Sequence, residues 1–152
     1  MKIREAAAAD AQDMSDVLEE LVSAGKRSNR ADREFVLSRY ITDPNRIRCS
    51  VALDEDGTIL GFQSLKWARE GNPYDTPVGW GIIGTHVRPS AARRGVGRAL
   101  FAASETAARD AGLTEIEAFI GSDNQAALIY YEAMGFGAYR WPDGVVAKVL
   151  RL

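Results

Sequence analysis

A chain of 152 residues that is 46% hydrophobic and 26% charged can bury a sizeable core and has the composition of an ordinary globular protein. Its formal net charge of −2 argues against a general nucleic-acid binder, and its one cysteine, Cys49, excludes an internal disulfide framework. The sole histidine, His86, has no cysteine or second histidine to share a metal with, so no metal site is expected. No apolar run approaches the ~20 residues of a membrane span, and Met1 to Arg4 lacks a signal peptide's apolar core. The expectation is a cytoplasmic protein with neither membrane nor nucleic-acid partners.

Lys2 to Glu5 reads as a short strand. From Ala9 to about Ala24, Met14, Val17, Leu18, Leu21 and Val22 recur at helical spacing; Asp10 suits the start as a cap and Gly25 closes the helix. After the basic connection Gly25 to Arg30, Asp32 caps a second helix carrying Phe35, Val36, Arg39 and Tyr40, stopped by Asp43-Pro44. Ile47 to Leu53 and Ile59 to Trp67 form a hairpin around Asp54-Glu55-Asp56-Gly57. Ala68 to Pro77 is a loop, and the aromatic residues around it, Trp67, Tyr74 and Trp80, form either a packed rim or a ligand wall. Val78 to Val87 is an apolar strand. A helix carrying Val96, Ala99, Leu100, Ala103 and Ala107 on one face ends at Gly112. Leu113 to Ile120 is a strand, Asp123 to Met134 a capped helix, and Gly137 to Leu152 two strands around Pro142-Asp143-Gly144.

The stretch Val87 to Phe101, VRPSAARRGVGRALF, organises the rest. A strand runs into a basic turn with Gly95 and Gly97, and a helix runs out of it. The first N–H groups of a helix lack intrahelical partners and the helix dipole favours negative charge there, so the stretch reads as a phosphate cradle built from backbone, with a basic helix start in an ordinary α/β protein as the alternative. Glycine lets a phosphate approach the main chain, and Arg93, Arg94 and Arg98 add guanidinium charge suited to phosphate. There is no GxxxxGK[ST], which excludes a nucleoside-triphosphate P-loop, and Leu100 occupies the third glycine position of a dinucleotide fingerprint.

The element order and two motifs resemble the GNAT superfamily of acyl-coenzyme-A-dependent N-acetyltransferases. The motif [QR]-x-x-G-x-[GA] falls on Ala92 to Gly97, with Ala92 in place of the usual Gln or Arg. The motif N-x-x-A-x-x-x-Y-x-x-x-G-F is matched throughout, on Asn124, Ala127, Tyr131, Gly135 and Phe136. The resemblance implies an α/β (α+β) fold over a single domain, 1-152: a mixed, mostly antiparallel sheet of about seven strands flanked by about four helices, splayed between the fourth and fifth strands. It implies acetyl-CoA as co-substrate, its pantetheine arm pairing with the open edge of strand Ile82 to Val87, its pyrophosphate on the N–H groups of about Arg94 to Ala99 (Gly95, Val96, Gly97 and Arg98 between them). Arg93 or Arg94 would stand in for the side chain missing at Ala92. An oxyanion donor is implied among the backbone N–H groups of Thr85, His86 and Val87. Asn124 is implied as a cofactor contact, a helix cap, or both.

Acetyl transfer to an amine needs a neutral amine, a stabilised oxyanion and a departing thiolate. A phenol, with its ordinary pKa of about 10, can protonate a thiolate whose own is about 8.5. Tyr131 takes that role by resemblance, and shares a helical face with Asn124 and Ala127; Tyr130, about 100° away, is assigned to packing or surface. The strand before the cradle carries no carboxylate, so His86, the only near-neutral titrating side chain, is the candidate base, with Glu117, Asp75 and a water chain as alternatives. Strict alternation puts His86 on the face of Trp80 and Ile82. The leading expectation is an enzyme that acetylates a primary amine of a small molecule. Acetylation of a protein N-terminus or lysine, and a non-catalytic acyl-CoA-binding sensor, are the alternatives. A homodimer through the C-terminal strands is left open.

Overall fold

The computed structural model describes residues 1–152. Seven strands form one sheet: β1 (Lys2–Glu5), β2 (Arg46–Leu53), β3 (Ile59–Trp67), β4 (Gly81–Val87), β5 (Glu115–Gly121), β6 (Gly137–Arg140) and β7 (Val145–Arg151). Their order is β1-β2-β3-β4-β5-β7-β6, and every neighbouring pair is antiparallel except β4–β5. Four helices cover it: α1 (Ala11–Ser23), α2 (Arg33–Val36), α3 (Val96–Asp110) and α4 (Gln125–Ala133). This is the mixed, mostly antiparallel GNAT-type architecture expected from the sequence. No helix is long and apolar enough to cross a membrane.

Alternation along the strands divides the core into two faces. Cys49, Val51 and Phe62 point towards α1 and α2, where they meet Met14, Val17, Leu18, Phe35 and Tyr40. Leu65, Ile83, Ile116 and Ala118 point the other way, towards Phe101 of α3 and Tyr131 of α4. Cys49 is fully buried and its thiol is pushed up to about 12 by desolvation, which makes it an inert core residue.

Local details differ from expectation where tertiary partners intervene. Asp10 does not cap α1: its carboxylate accepts two bonds from the Arg4 guanidinium at 2.8 and 2.9 Å and one from the Ala7 N–H, tying a tight turn to β1. Asp32 does cap α2, accepting from the Phe35 N–H at 3.2 Å, and a wider turn over Leu37–Ile41 extends the helix. Val78 to Trp80 lies outside β4, because Gly79 at φ 90° and the Trp80 N–H bond to the Pro77 carbonyl make a turn there.

The β4–β5 pair is the feature that positions the site. Its ladder joins Gly81, Ile82 and Ile83 to Ile116, Glu117 and Ala118, and stops there. Gly84 to Val87 stay paired to β3 but present an open edge on the β5 side.

Candidate active site

Two clefts meet at this opening. The larger, about 610 Å³, runs from the open edge of β4 past the start of α3 to α4, and its walls include His86, Val87, Arg93, Gly95, Val96, Gly97, Arg98, Asn124, Tyr130 and Tyr131. The smaller, about 190 Å³, lies on the α1–α2 face beside Tyr40, Tyr74 and Phe119. Ile83, Gly84, His86, Phe119 and Arg27 line both. Neither cleft is lined by an aspartate or glutamate.

The turn into α3, expected to cradle a phosphate, presents backbone donors. Arg93 and Gly95 both take left-handed φ, 64° and 77°, turning the chain sharply from the short Pro89–Ala91 turn into α3. That conformation costs an L-residue roughly 1–2 kcal/mol, which glycine avoids at position 95. The first i→i−4 bond of α3 is Ala99 N–H to the Gly95 carbonyl at 3.1 Å. The N–H groups of Val96, Gly97 and Arg98 therefore remain as donors at the positive end of the helix dipole. Ala99, expected among the cofactor contacts, is corrected on this ground: its N–H is already used.

Two further expectations change. Arg94 turns away to pair with Asp54 at 3.4 Å and does not line the cleft, whose cationic lining is Lys26, Arg27, Arg88, Arg93 and Arg98. Gly97 has a packing role beside its expected one: a Cβ there would lie 2.6 Å from the Tyr130 ring. Tyr130 is accordingly no surface residue. Its hydroxyl donates to the Gly97 carbonyl at 2.7 Å and accepts from Gln63 Nε2 at 3.0 Å, clamping α4 to the cradle. Gly97→Ala is expected to cost about 1–3 kcal/mol in chemical denaturation through overpacking. That penalty should shrink in a Tyr130→Ala background; an undiminished penalty would show that Tyr130 is not its cause.

Tyr131 is 5% exposed and packs its ring on Phe136 and Tyr130. Its hydroxyl is 2.8 Å from Thr85 Oγ1, which accepts from Gln63 Nε2 at 2.9 Å. Burial raises the Tyr131 phenol well above its ordinary range, so it is fully protonated at neutral pH. Sequence reading missed the side chains of Thr85 and Gln63. The available signal was a glutamine inside an apolar strand, on the strand that pairs with β4, with Gln63 directly opposite Thr85.

His86 lies on the other face of β4 from Thr85. It stacks on Phe62 and Tyr40, with Nε2 3.3 Å from the Tyr40 hydroxyl. Desolvation, and secondarily the Arg27 charge, lower its pKa to about 3. A neutral imidazole that holds a proton so weakly is poorly matched to taking one from an alkylammonium, whose pKa is near 10.4 in the case of lysine. Glu117 is no alternative. It is fully buried away from both clefts, locked by Arg140, Thr76 and Tyr139. Asp75 sits in the loop at φ 56° and lines neither cleft. Asn124 caps α4, accepting from the Ala127 N–H at 3.1 Å, and also lines the larger cleft.

A sheet split beside a glycine-started helix, with a phenol on the helix across the split, is the arrangement of an acetyltransferase. A sequence model of the Acetyltransferase (GNAT) family matches residues 14–136, and the chain belongs to that family. Among solved structures, a GCN5-related N-acetyltransferase from Kribbella flavida superposes with a TM-score of 0.81 at 25% identity, covering 99% of this chain and 97% of that one. YncA from Salmonella typhimurium, a putative acetyltransferase determined with its cofactor acetyl-CoA, superposes at 0.73 with 20% identity, covering 99% and 93%. Mycothiol acetyltransferase from Kocuria rhizophila is 32% identical over 106 residues, 70% of this chain and 34% of that protein. The chain thus spans about a third of the length of the curated relatives it matches.

Proposed function

We propose that this protein transfers the acetyl group of acetyl-CoA to a primary amine of a small molecule, by direct attack of the amine on the thioester, with Tyr131 donating its proton towards the leaving thiolate. The observation that carries this reading is the meeting of the two clefts at Gly84 and His86, with the Tyr131 hydroxyl held beside that point by Thr85. When bound, acetyl-CoA supplies an activated acetyl group. The residues fit it: the donors of Val96, Gly97 and Arg98 with Arg93 suit the pyrophosphate, and the open edge of Gly84 to Val87 suits the amide groups of the pantetheine arm. Backbone N–H groups of that same edge are the oxyanion donors in this reading.

The hydrogen bonds around Tyr131 are compatible with proton donation. Thr85 Oγ1 accepts from Gln63, and in this reading it turns its own hydrogen to the Tyr131 oxygen. The Tyr131 hydrogen is then released to point into the cleft. Each bond in such a chain polarises the next. Because burial raises the phenol's pKa, complete transfer to a thiolate is uphill, and the donor acts chiefly by hydrogen-bonding to sulfur as charge develops.

His86 stays neutral in this mechanism and serves as a hydrogen-bonding partner for the amine. The amine proton leaves through water in the smaller cleft. With the imidazole neutral down to about pH 3, kcat/KM is expected to rise with pH as the acceptor amine deprotonates, without a separate inflection near the ordinary histidine value of about 6.5. An inflection there that disappears in His86→Gln would return base duty to His86.

The reading is tested by titrating acetyl-CoA in a thermal-shift assay and scoring an amine panel for free thiol. A ligand at a hundred times its Kd stabilises by about 2.7 kcal/mol. The absence of both a thermal shift and thiol release would overturn the reading. A non-catalytic acyl-CoA-binding sensor is the second reading, favoured by the lack of any carboxylate in either cleft; a shift without thiol release across the panel would select it.

A further inference from the structure

The smaller cleft bears on the acceptor, and the inference drawn from it rests on the acetyl-transfer reading above. Its charged lining is wholly cationic, consisting of Arg27, Arg39 and Lys66. On a chain of net charge −2 this is a local excess rather than a background. Lys66 is matched by Asp43 at 3.4 Å. Arg27 and Arg39 are held by neutral groups instead. Both guanidinium groups lie over the Phe35 ring, at 5.6 and 4.9 Å from its centroid. Arg39 Nη1 donates to the Tyr74 hydroxyl at 3.3 Å, and Arg27 donates twice to the Arg30 carbonyl. Each cation is fixed in position while its charge is left unmatched, which is what a preorganised anion receptor requires.

We infer that the acceptor is a small amino acid, whose carboxylate is held by Arg39 and Arg27 while its amine points to His86 and the β4–β5 opening. The volume agrees: at about 190 Å³ the cleft is smaller than the ~300–1,000 Å³ typical of drug-sized ligands. The same positive field lowers the pKa of an amine bound there, which eases its deprotonation in a site without a carboxylate base. Arg27 also lines the larger cleft, where a nucleotide phosphate competes for it, but Arg39 lines only the smaller one. Arg39 is therefore the discriminating residue.

The test uses matched acid and amide pairs: L-alanine with L-alaninamide, L-serine with L-serinamide, and L-threonine with L-threoninamide. Each is titrated calorimetrically into protein saturated with coenzyme A, and each is assayed for thiol release from acetyl-CoA. The amide has the less basic amine, so a preference for the acid cannot arise from amine reactivity. At least one acid should bind about tenfold or more tightly than its amide. The preference should collapse in Arg39→Gln while coenzyme A affinity is retained. Equal or reversed affinities in every pair, or a preference that survives Arg39→Gln and the Arg27→Gln/Arg39→Gln double variant, would overturn the inference. Acid-selective binding without thiol release from any pair would support the carboxylate site and count against acetyl transfer, so the two failures are distinguishable.

Discussion

Replacing Tyr131 by phenylalanine is expected to lower kcat on the order of 10²-fold or more, the usual worth of a positioned general acid, while coenzyme A affinity changes little. The substitution removes one oxygen and leaves the ring on Phe136 and Tyr130, so the helix face is preserved. The lost bond to Thr85 costs about 1 kcal/mol of stability, which does not unfold a domain of this size. In the proposed binding mode the cofactor rests on the backbone of Val96 to Arg98 and on the open edge of β4, neither of which Tyr131 builds. The decisive readout is therefore a drop in kcat with an unchanged Kd for coenzyme A. Thr85→Val should give a smaller fall in the same direction, because it removes the bond that aims the phenol but keeps the phenol. Unchanged turnover in Tyr131→Phe would remove Tyr131 from the mechanism, whatever the fate of the fold.

Much of this arrangement was legible in the chain, for identifiable reasons. The β3 span Ile59–Trp67 matched its apolar run residue for residue, since a hairpin turn bounds one end and a Gly/Pro-rich loop the other. Asp32 and Asn124 were readable as caps because capping depends on residues only three positions away. Alternation along β4 placed His86 with Ile82, and so on the opposite face from Thr85. What stayed hidden depended on partners distant in sequence. The packing reason for a glycine at position 97 was hidden, because nothing local announces that Tyr130, 33 positions on, lies against it. Arg94 looked free until the β2–β3 hairpin brought Asp54 to it. His86 looked titratable because its chemistry is local, whereas its depressed pKa comes from burial beside Phe62 and Tyr40.

Glu117 is the case in which distance in sequence concealed most, and it carries the largest expected effect on stability. It is 0% exposed, and every contact of its carboxylate is a donor from elsewhere in the chain. Arg140 Nη2 donates at 2.8 and 3.0 Å, Thr76 Oγ1 at 2.8 Å, and Tyr139 adds its hydroxyl. Arg140 also donates to the Tyr74 carbonyl at 2.7 Å, so one ion pair ties β5 and β6 to the loop that walls the smaller cleft. In Glu117→Gln an amide NH₂ would face these donors and Arg140 would lose its counter-charge. Breaking a buried pair in this way costs about 3–5 kcal/mol. At roughly 2–4 °C per kcal/mol for a domain of this length, Tm should fall by roughly 10 °C. Replacing both partners by apolar residues, Glu117→Leu with Arg140→Met, should cost less than the single change, because no charge is left unpaired. Loosening Tyr74 should also raise KM for the acceptor while leaving coenzyme A affinity intact, since none of these residues lines the larger cleft. A Glu117→Gln protein within 1 kcal/mol of the parent in chemical denaturation would mean that the pair is incidental, and that packing on Ile116 and Ala118 alone holds β5 in place.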